Sequence, residues 1–272
     1  MHKTWSLEDI AWERFDAALA DPETVRVIKA ACLVEHNAGD YATYLANVFP
    51  EDAAFISAAR VWGAEEVQHG RALRRWAELA DPGWDFAAAF TEFTSGFSLP
   101  LEVTKSVRGS RTAELLSRCV VEVGTSSLYS ALRDGASEPV LRQICARIAG
   151  DEFRHYKLFY KHLLHYRAVE RQGAWAAVRA VARRFFEMSD DELAFAYHAA
   201  NGRGVPYDRR GCGRAYARRV LVHYRYGHVA RGVAMSFKAM GFRAQGFWAK
   251  RWAIWMYKIL RLHEKRLTRM AA

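Results

Sequence analysis

Two short stretches of the chain each carry an acid followed by Glu-x-x-His. They are Glu65-Glu66-Val67-Gln68-His69 and Asp151-Glu152-Phe153-Arg154-His155. On an α-helix a glutamate and a histidine three positions apart share one face, one turn from each other. On a solvated face such a pair is an ion pair; in a dry interior it is half of a divalent-cation site. Each stretch has a second match upstream, Cys32-Leu33-Val34-Glu35 and Cys119-Val120-Val121-Glu122. Glu35 and Glu122 are 87 residues apart, and the two Glu-x-x-His motifs are 86 apart, so a helical hairpin occurs twice.

The arms of each hairpin set the height of its acids. Glu35 precedes the turn at Phe49-Pro50-Glu51 by 14 residues, and Glu66 follows Glu51 by 15. Glu122 precedes Gly135 by 13, and Glu152 follows Pro139 by 13. Antiparallel helices with nearly equal arms bring these carboxylates level, about 20 Å from their turns at 1.5 Å per residue. Apolar residues elsewhere recur at three and four, strand-like alternation is scarce, and only six prolines interrupt the chain. The expected fold is all-α, two hairpins closing into a four-helix bundle.

One level of that bundle then holds Glu35, Glu66, His69, Glu122, Glu152 and His155. Four unpartnered carboxylates are too costly to desolvate, and two divalent cations remove the difficulty. A lone Glu from each of two helices plus Glu-x-x-His from each of the other two is the donor set of di-iron and di-manganese carboxylate bundles. Oxygen and imidazole donors without thiolate favour two iron ions, with manganese or a mixed manganese–iron pair using the same ligands. Glu65 and Asp151 each precede a ligand glutamate and are candidates to hold a histidine of the opposite hairpin by its second N–H; otherwise they are surface acids.

Over roughly residues 22–167 the chain resembles the ferritin-like di-iron superfamily, and the likeness is closest to soluble acyl carrier protein desaturases. The shared motifs are Glu65-Glu66-Val67-Gln68-His69-Gly70, Asp151-Glu152-Phe153-Arg154-His155 and Glu122-Val123-Gly124-Thr125. The ligand spacing is equally similar to that of aldehyde-deformylating oxygenases. The resemblance implies a ferritin-like bundle with a dimetal core, and it places Thr125 as the catalytic hydrogen-bond donor beside the oxygen-binding face. The small residues after Glu122, Gly124 to Ser127, leave room there for oxygen and substrate, or else allow close helix packing.

The four cysteines are isolated, so neither a rubredoxin-type iron site nor a zinc knuckle is expected. The opening MHKTWSLEDIAWERF has no apolar leader run, and no charge-free stretch of about 18 apolar residues occurs. A cytoplasmic protein is expected, or one peripheral at the inner face of the membrane. Through residue 170 the chain holds 19 Lys/Arg against 24 Asp/Glu; beyond it, 21 against 6. This shift divides the chain into a bundle at 1–170 and a basic helical extension at 171–272. In the extension a helix around 174–187 precedes a capping-box pattern at Ser189-Asp190-Asp191-Glu192. A Gly/Pro-containing loop at 201–213 and two long basic helices follow, with 16 Lys/Arg and one acid from residue 209 onward. In the last helix Trp248, Trp252, Trp255, Ile259 and Leu262 form one stripe flanked by bases. Such a helix suits an anionic membrane surface or an acidic acyl carrier protein; alternatively, the stripe packs on the bundle or on a second subunit of a homodimer.

These features point to an O2-dependent di-iron oxidase, a desaturase or hydroxylase, acting on an acyl chain or other lipid. No flavin or dinucleotide fingerprint is present, so a ferredoxin-like electron donor is implied. The same ligand set also serves aldehyde deformylation, oxygenation of a small metabolite, or ferroxidase iron handling.

Overall fold

A computed structural model describes residues 5–171, 173 and 191–271. No strand occurs among them, and the chain folds as a helical bundle. Helices α1 (Pro22–His36) and α2 (Ala38–Val48) run nearly end to end. They are followed by α3 (Ala53–Ala80), α4 (Phe86–Gly96), α5 (Arg111–Gly135) and α6 (Pro139–Val169). The C-terminal part adds α7 (Asp191–Asn201), α8 (Arg209–Leu221), α9 (Tyr226–Met240) and α10 (Phe247–Ala271). Two 3-10 turns near the N-terminus, Leu7–Asp9 and Trp12–Arg14, lie on α3 and α6 respectively.

Local chemistry fixes where the long helices start. Asp21 accepts from Thr24 N–H at the head of α1, Asp52 from Phe55 N–H at α3, and Ser110 from Ala113 N–H at α5. Pro139 opens α6 at a position where its missing N–H is not needed. Before it, Glu138 accepts from the backbone of Val140 and Leu141 and also from Trp76 Nε1 at 2.7 Å. That one carboxylate therefore caps α6 and ties it to α3.

α1 and α2 pack along α3, α5 pairs with α6 over the greatest length, and α3 meets α6. Two apolar cores result. One gathers Val27, Ile28, Leu33, Leu73, Trp76, Ile144 and Ile148; the other gathers Leu45, Phe49, Phe55, Leu115, Leu116, Phe159 and Leu163. The layer containing the sequence-predicted acids lies between them.

The first helix is broken where a continuous one was expected. Asn37 sits at φ −84°, ψ 4°, outside helical geometry, one residue after His36. The break meets α3 at Gly70, where a Cβ would come within 2.5 Å of His36 Nδ1 and 2.8 Å of His36 N. The glycine that closes the EEVQHG stretch is thus required by helix contact, because any side chain there would push α1 from α3.

The basic extension also departs from expectation. It contains three helices beyond residue 208 rather than two, with breaks at 222–225 and at 241–246. Gly241 takes the left-handed conformation (φ 93°) that ends α9. The expected helix at 174–187 and most of the capping-box pattern lie outside the described residues. α7 packs on α1 and α4, and α9 packs on α5.

A polar clamp anchors the start of α9. Arg225 N–H donates to His228 Nδ1 at 3.0 Å, which leaves His228 Nε2–H to donate to Asp134 at 2.9 Å. The hydrogen bond from Arg133 is the main cause holding Asp134 down at about 2; burial opposes it and His228 reinforces it. A lowered carboxylate stabilises the fold above its unfolded pKa, and that stability is lost as pH falls through the folded value. Asp134→Asn should therefore cost about 1 kcal/mol at neutral pH. Its deficit in thermal melts should shrink as pH is lowered from about 4 toward 2.

Candidate metal centre

All six sequence-predicted ligand residues converge in the layer between the two apolar cores. Glu35 comes from α1, Glu66 and His69 from α3, Glu122 from α5, and Glu152 and His155 from α6. All six are buried, His69 completely. They form two overlapping groups of donors: Glu35, Glu66, His69 and Glu152, then Glu66, Glu122, Glu152 and His155. Within each group one atom per residue lies within 4.8 Å of every other. Glu66 and Glu152 belong to both, as carboxylates spanning two cations would.

The imidazoles are oriented alike. His69 turns Nδ1 toward Glu66 (3.0 Å) and Glu152 (3.5 Å), while its Nε2 meets Asp151 at 3.0 Å. His155 turns Nδ1 toward Glu66 (3.1 Å), and its Nε2 meets Glu65 at 2.7 Å. An Nε2–H donated to an outer carboxylate selects the tautomer whose Nδ1 lone pair faces the centre. This is the arrangement that makes imidazole a good metal donor. Each outer carboxylate belongs to the opposite hairpin from the histidine it holds. Arg154 joins the two, donating to Asp151 Oδ1 at 2.5 Å and to Glu65 at 3.4 Å.

Several atoms in the layer have no directed hydrogen bond: both oxygens of Glu122, Glu152 Oε1 and His155 Nδ1. Buried polar atoms are satisfied almost everywhere in folded proteins, so orphans that all converge on one point mark a place built for something else. An oxygen-rich, imidazole-containing donor set fits a divalent cation, and the clusters can hold metal ions.

Protonation tells the same story. Burial, followed by the charges of Glu66 and Glu152, pushes the Glu35 carboxyl well up. Burial and the same two neighbours, Glu152 foremost, do likewise for Glu122. Burial would raise Glu66 too, but His155 and His69 outweigh it and hold this acid well below its ordinary value. Glu152 is lowered in the same way, against its burial and the charge of Glu66, by the two imidazoles beside it. Against burial, the carboxylates of Asp151, Glu152 and Glu66 that accept from its ring raise His69, and the charge of Glu66 is the main cause raising His155.

Four contacts had no signal in the spacing. Trp5 donates Nε1–H to Asp151 Oδ2 at 2.7 Å and stacks on His69, with centroids 5.9 Å apart and planes within 5°. Gln68 Nε2 holds Trp5 by its carbonyl at 2.7 Å. Tyr129 is buried and donates its hydroxyl to Glu35 Oε1 at 2.5 Å. Cys32 and Cys119 are buried, and neither belongs to either donor group.

Thr125 sits at the edge of the layer. Its hydroxyl donates to Glu152 Oε2 at 2.7 Å, with the carbonyls of Val121 and Glu122 as longer alternatives at 3.2 and 3.3 Å. On its other side it lines a cavity of about 800 Å³. The walls are mostly apolar: Val121 and Leu128 of α5, Leu193 of α7, Tyr216 and Val220 of α8, and Tyr224 beyond it. Arg209, Arg210 and Arg214 also line it, along the start of α8. A cleft of about 460 Å³ bounded by Lys29, Asp81 and Glu92 includes neither Thr125 nor any donor residue.

No protein-family model matches the chain, and no curated protein matches it significantly.

The shared position of Glu66 and Glu152 gives a graded expectation. Glu66→Ala and Glu152→Ala should each lose both metal equivalents, whereas Glu35→Ala and Glu122→Ala should each keep about one. Metal analysis after anaerobic Fe(II) loading and desalting checks this. Wild-type content in both Glu66→Ala and Glu152→Ala would refute the assignment.

Proposed function

We propose that the protein is an O2-dependent di-iron oxidase of ferritin-like four-helix-bundle architecture, a hydroxylase or desaturase acting on an acyl chain or other lipid. One observation carries the reading. Two four-donor groups share Glu66 and Glu152, and Thr125, which donates to Glu152, also lines an apolar cavity.

Glu35, Glu66, His69 and Glu152 would hold one iron, and Glu66, Glu122, Glu152 and His155 the other. When bound, the pair supplies the reductive activation of O2 that lets an unactivated C–H bond react. Hydroxylation consumes O2, two electrons and two protons and yields alcohol and one water; desaturation consumes the same and yields alkene and two waters. The electrons come from an external donor of the ferredoxin class.

The chain's own contribution is placement and dryness. Asp151 and Glu65 keep the imidazole Nδ1 atoms aimed inward, and Arg154 fixes both carboxylates. The apolar cores on either side exclude water from the layer. The cavity suits a hydrocarbon segment, since a site of this size and lining takes up apolar matter through burial. The arginines of α8 suit an anionic head, a carboxylate or a phosphate-bearing carrier. Thr125 marks the wall where the chain would meet the centre, and its hydroxyl can donate to Glu152 Oε2 or turn to a backbone carbonyl.

A ferroxidase needs no apolar cavity beside its centre, which is why the oxidase is favoured. Single-turnover oxidation separates them: anaerobic Fe(II)-loaded protein is mixed with O2, with and without fatty acids or acyl carrier thioesters. Acceleration of at least about tenfold by one class, with that molecule recovered oxidised by mass spectrometry, is expected. Ala217→Trp, which fills the cavity from α8, should keep its metal and lose most of that product. Rapid oxidation indifferent to lipids with continued iron uptake would establish iron handling instead, and release of a one-carbon fragment would establish deformylation.

A further inference from the structure

α10 turns its aromatic stripe away from the protein. Trp248 is 68% exposed, Trp252 46%, Trp255 52% and Leu262 67%, with Ile259 between them also exposed. The back of the same helix is what packs: Ala249, Ala253 and Leu267 are buried, and α10 meets α8 and α9. So the stripe does not pack on the bundle, one of the alternatives its spacing allowed. From Trp248 to Leu262 it runs about 21 Å along the surface. Contiguous exposed apolar surface of this kind marks an interaction site.

The chemistry around the stripe selects the occupant. Arg251, Lys258, Lys265 and Arg269 follow one another at intervals of seven, seven and four, so they line one edge of the stripe, and all four are exposed. The only acid on α10, Glu264, pairs with Arg261. A second copy of this chain would set one basic edge against another, which like-charge repulsion opposes. An acidic carrier protein matches the charge but leaves a row of three tryptophans and two aliphatic side chains without an apolar partner. A bilayer surface satisfies both: tryptophan rings favour the headgroup level, and the lysines and arginines reach anionic phosphates.

We propose that α10 lies flat on an anionic lipid surface, its Trp248–Leu262 stripe inserted to headgroup depth and its basic edge on the lipid phosphates. Docking does not depend on what the buried carboxylates hold. The same helix contributes His263, next to Leu262, to the lining of the apolar cavity.

The test is co-sedimentation of the full chain with phosphatidylcholine vesicles, with and without about 30% phosphatidylglycerol. Binding to the anionic vesicles is expected, with at least about tenfold less binding in high salt or without phosphatidylglycerol. The exposed double variant Trp252→Ser/Trp255→Ser should fold normally by circular dichroism and bind about tenfold more weakly. Lys258→Gln/Lys265→Gln should weaken binding and flatten its salt dependence. The proposal falls if the wild type ignores anionic vesicles, or if both variants bind as the wild type does. It falls equally if the tryptophan variant instead abolishes self-association in sedimentation velocity, or binding to an acidic carrier protein, while vesicles are not bound.

Discussion

Everything in this fold answers to one constraint, the confinement of four carboxylates and two imidazoles in a layer almost without water. Each buried charge costs several kcal/mol unless it is compensated in place. Compensation comes from within the layer: Glu35 and Glu122 are pushed up by burial and their neighbouring carboxylates, while Glu66 and Glu152 are held down by the imidazoles beside them. The two apolar cores give the layer its low dielectric, which strengthens every charge interaction inside it.

Orientation comes from a second ring of contacts that crosses between the hairpins. Asp151 of α6 holds His69 of α3, and Glu65 of α3 holds His155 of α6. Neither hairpin alone can present a complete half-site, since each histidine depends on the other hairpin for its tautomer. Arg154 couples the two carboxylates, and Trp5 brings the N-terminal segment over one of them. Close approach of the helices is a precondition, supplied on one side by Gly70 against His36.

The legible part of this was the part written locally. Glu-x-x-His motifs, matched lone glutamates and equal arm lengths are intervals along one chain, and helix geometry converts intervals into heights directly. The positions of Glu65 and Asp151 beside ligand residues were also readable, because adjacency to a ligand on a helix leaves few directions to reach. Trp5 on Asp151 and Tyr129 on Glu35 were not readable, since contacts across 146 and 94 residues have no period. The break at Asn37 turns on packing between α1 and α3 rather than on propensity. For α10, spacing defined the aromatic stripe, but spacing is the same whether a stripe is buried or exposed. Only the seating of Ala249 and Ala253 against the neighbouring helices decides which way it faces.

The C-terminal helices decide what the Thr125 side of the layer faces. A bundle of α1–α3, α5 and α6 is enough to gather the six donors, and on its own it would leave the Gly124–Thr125 side of α5 facing outward. Leu193 and Ala194 of α7 and the length of α8 form the opposite wall, so the small residues after Glu122 look into an apolar cavity instead of water. The extension therefore changes the chemistry available without contributing a donor to either group. It covers that edge of the layer with a mostly apolar cavity wall. The basic residues that make the extension conspicuous in the sequence then occupy its outer side, where Arg210 and Arg214 line the cavity and α10 carries its charges on the surface.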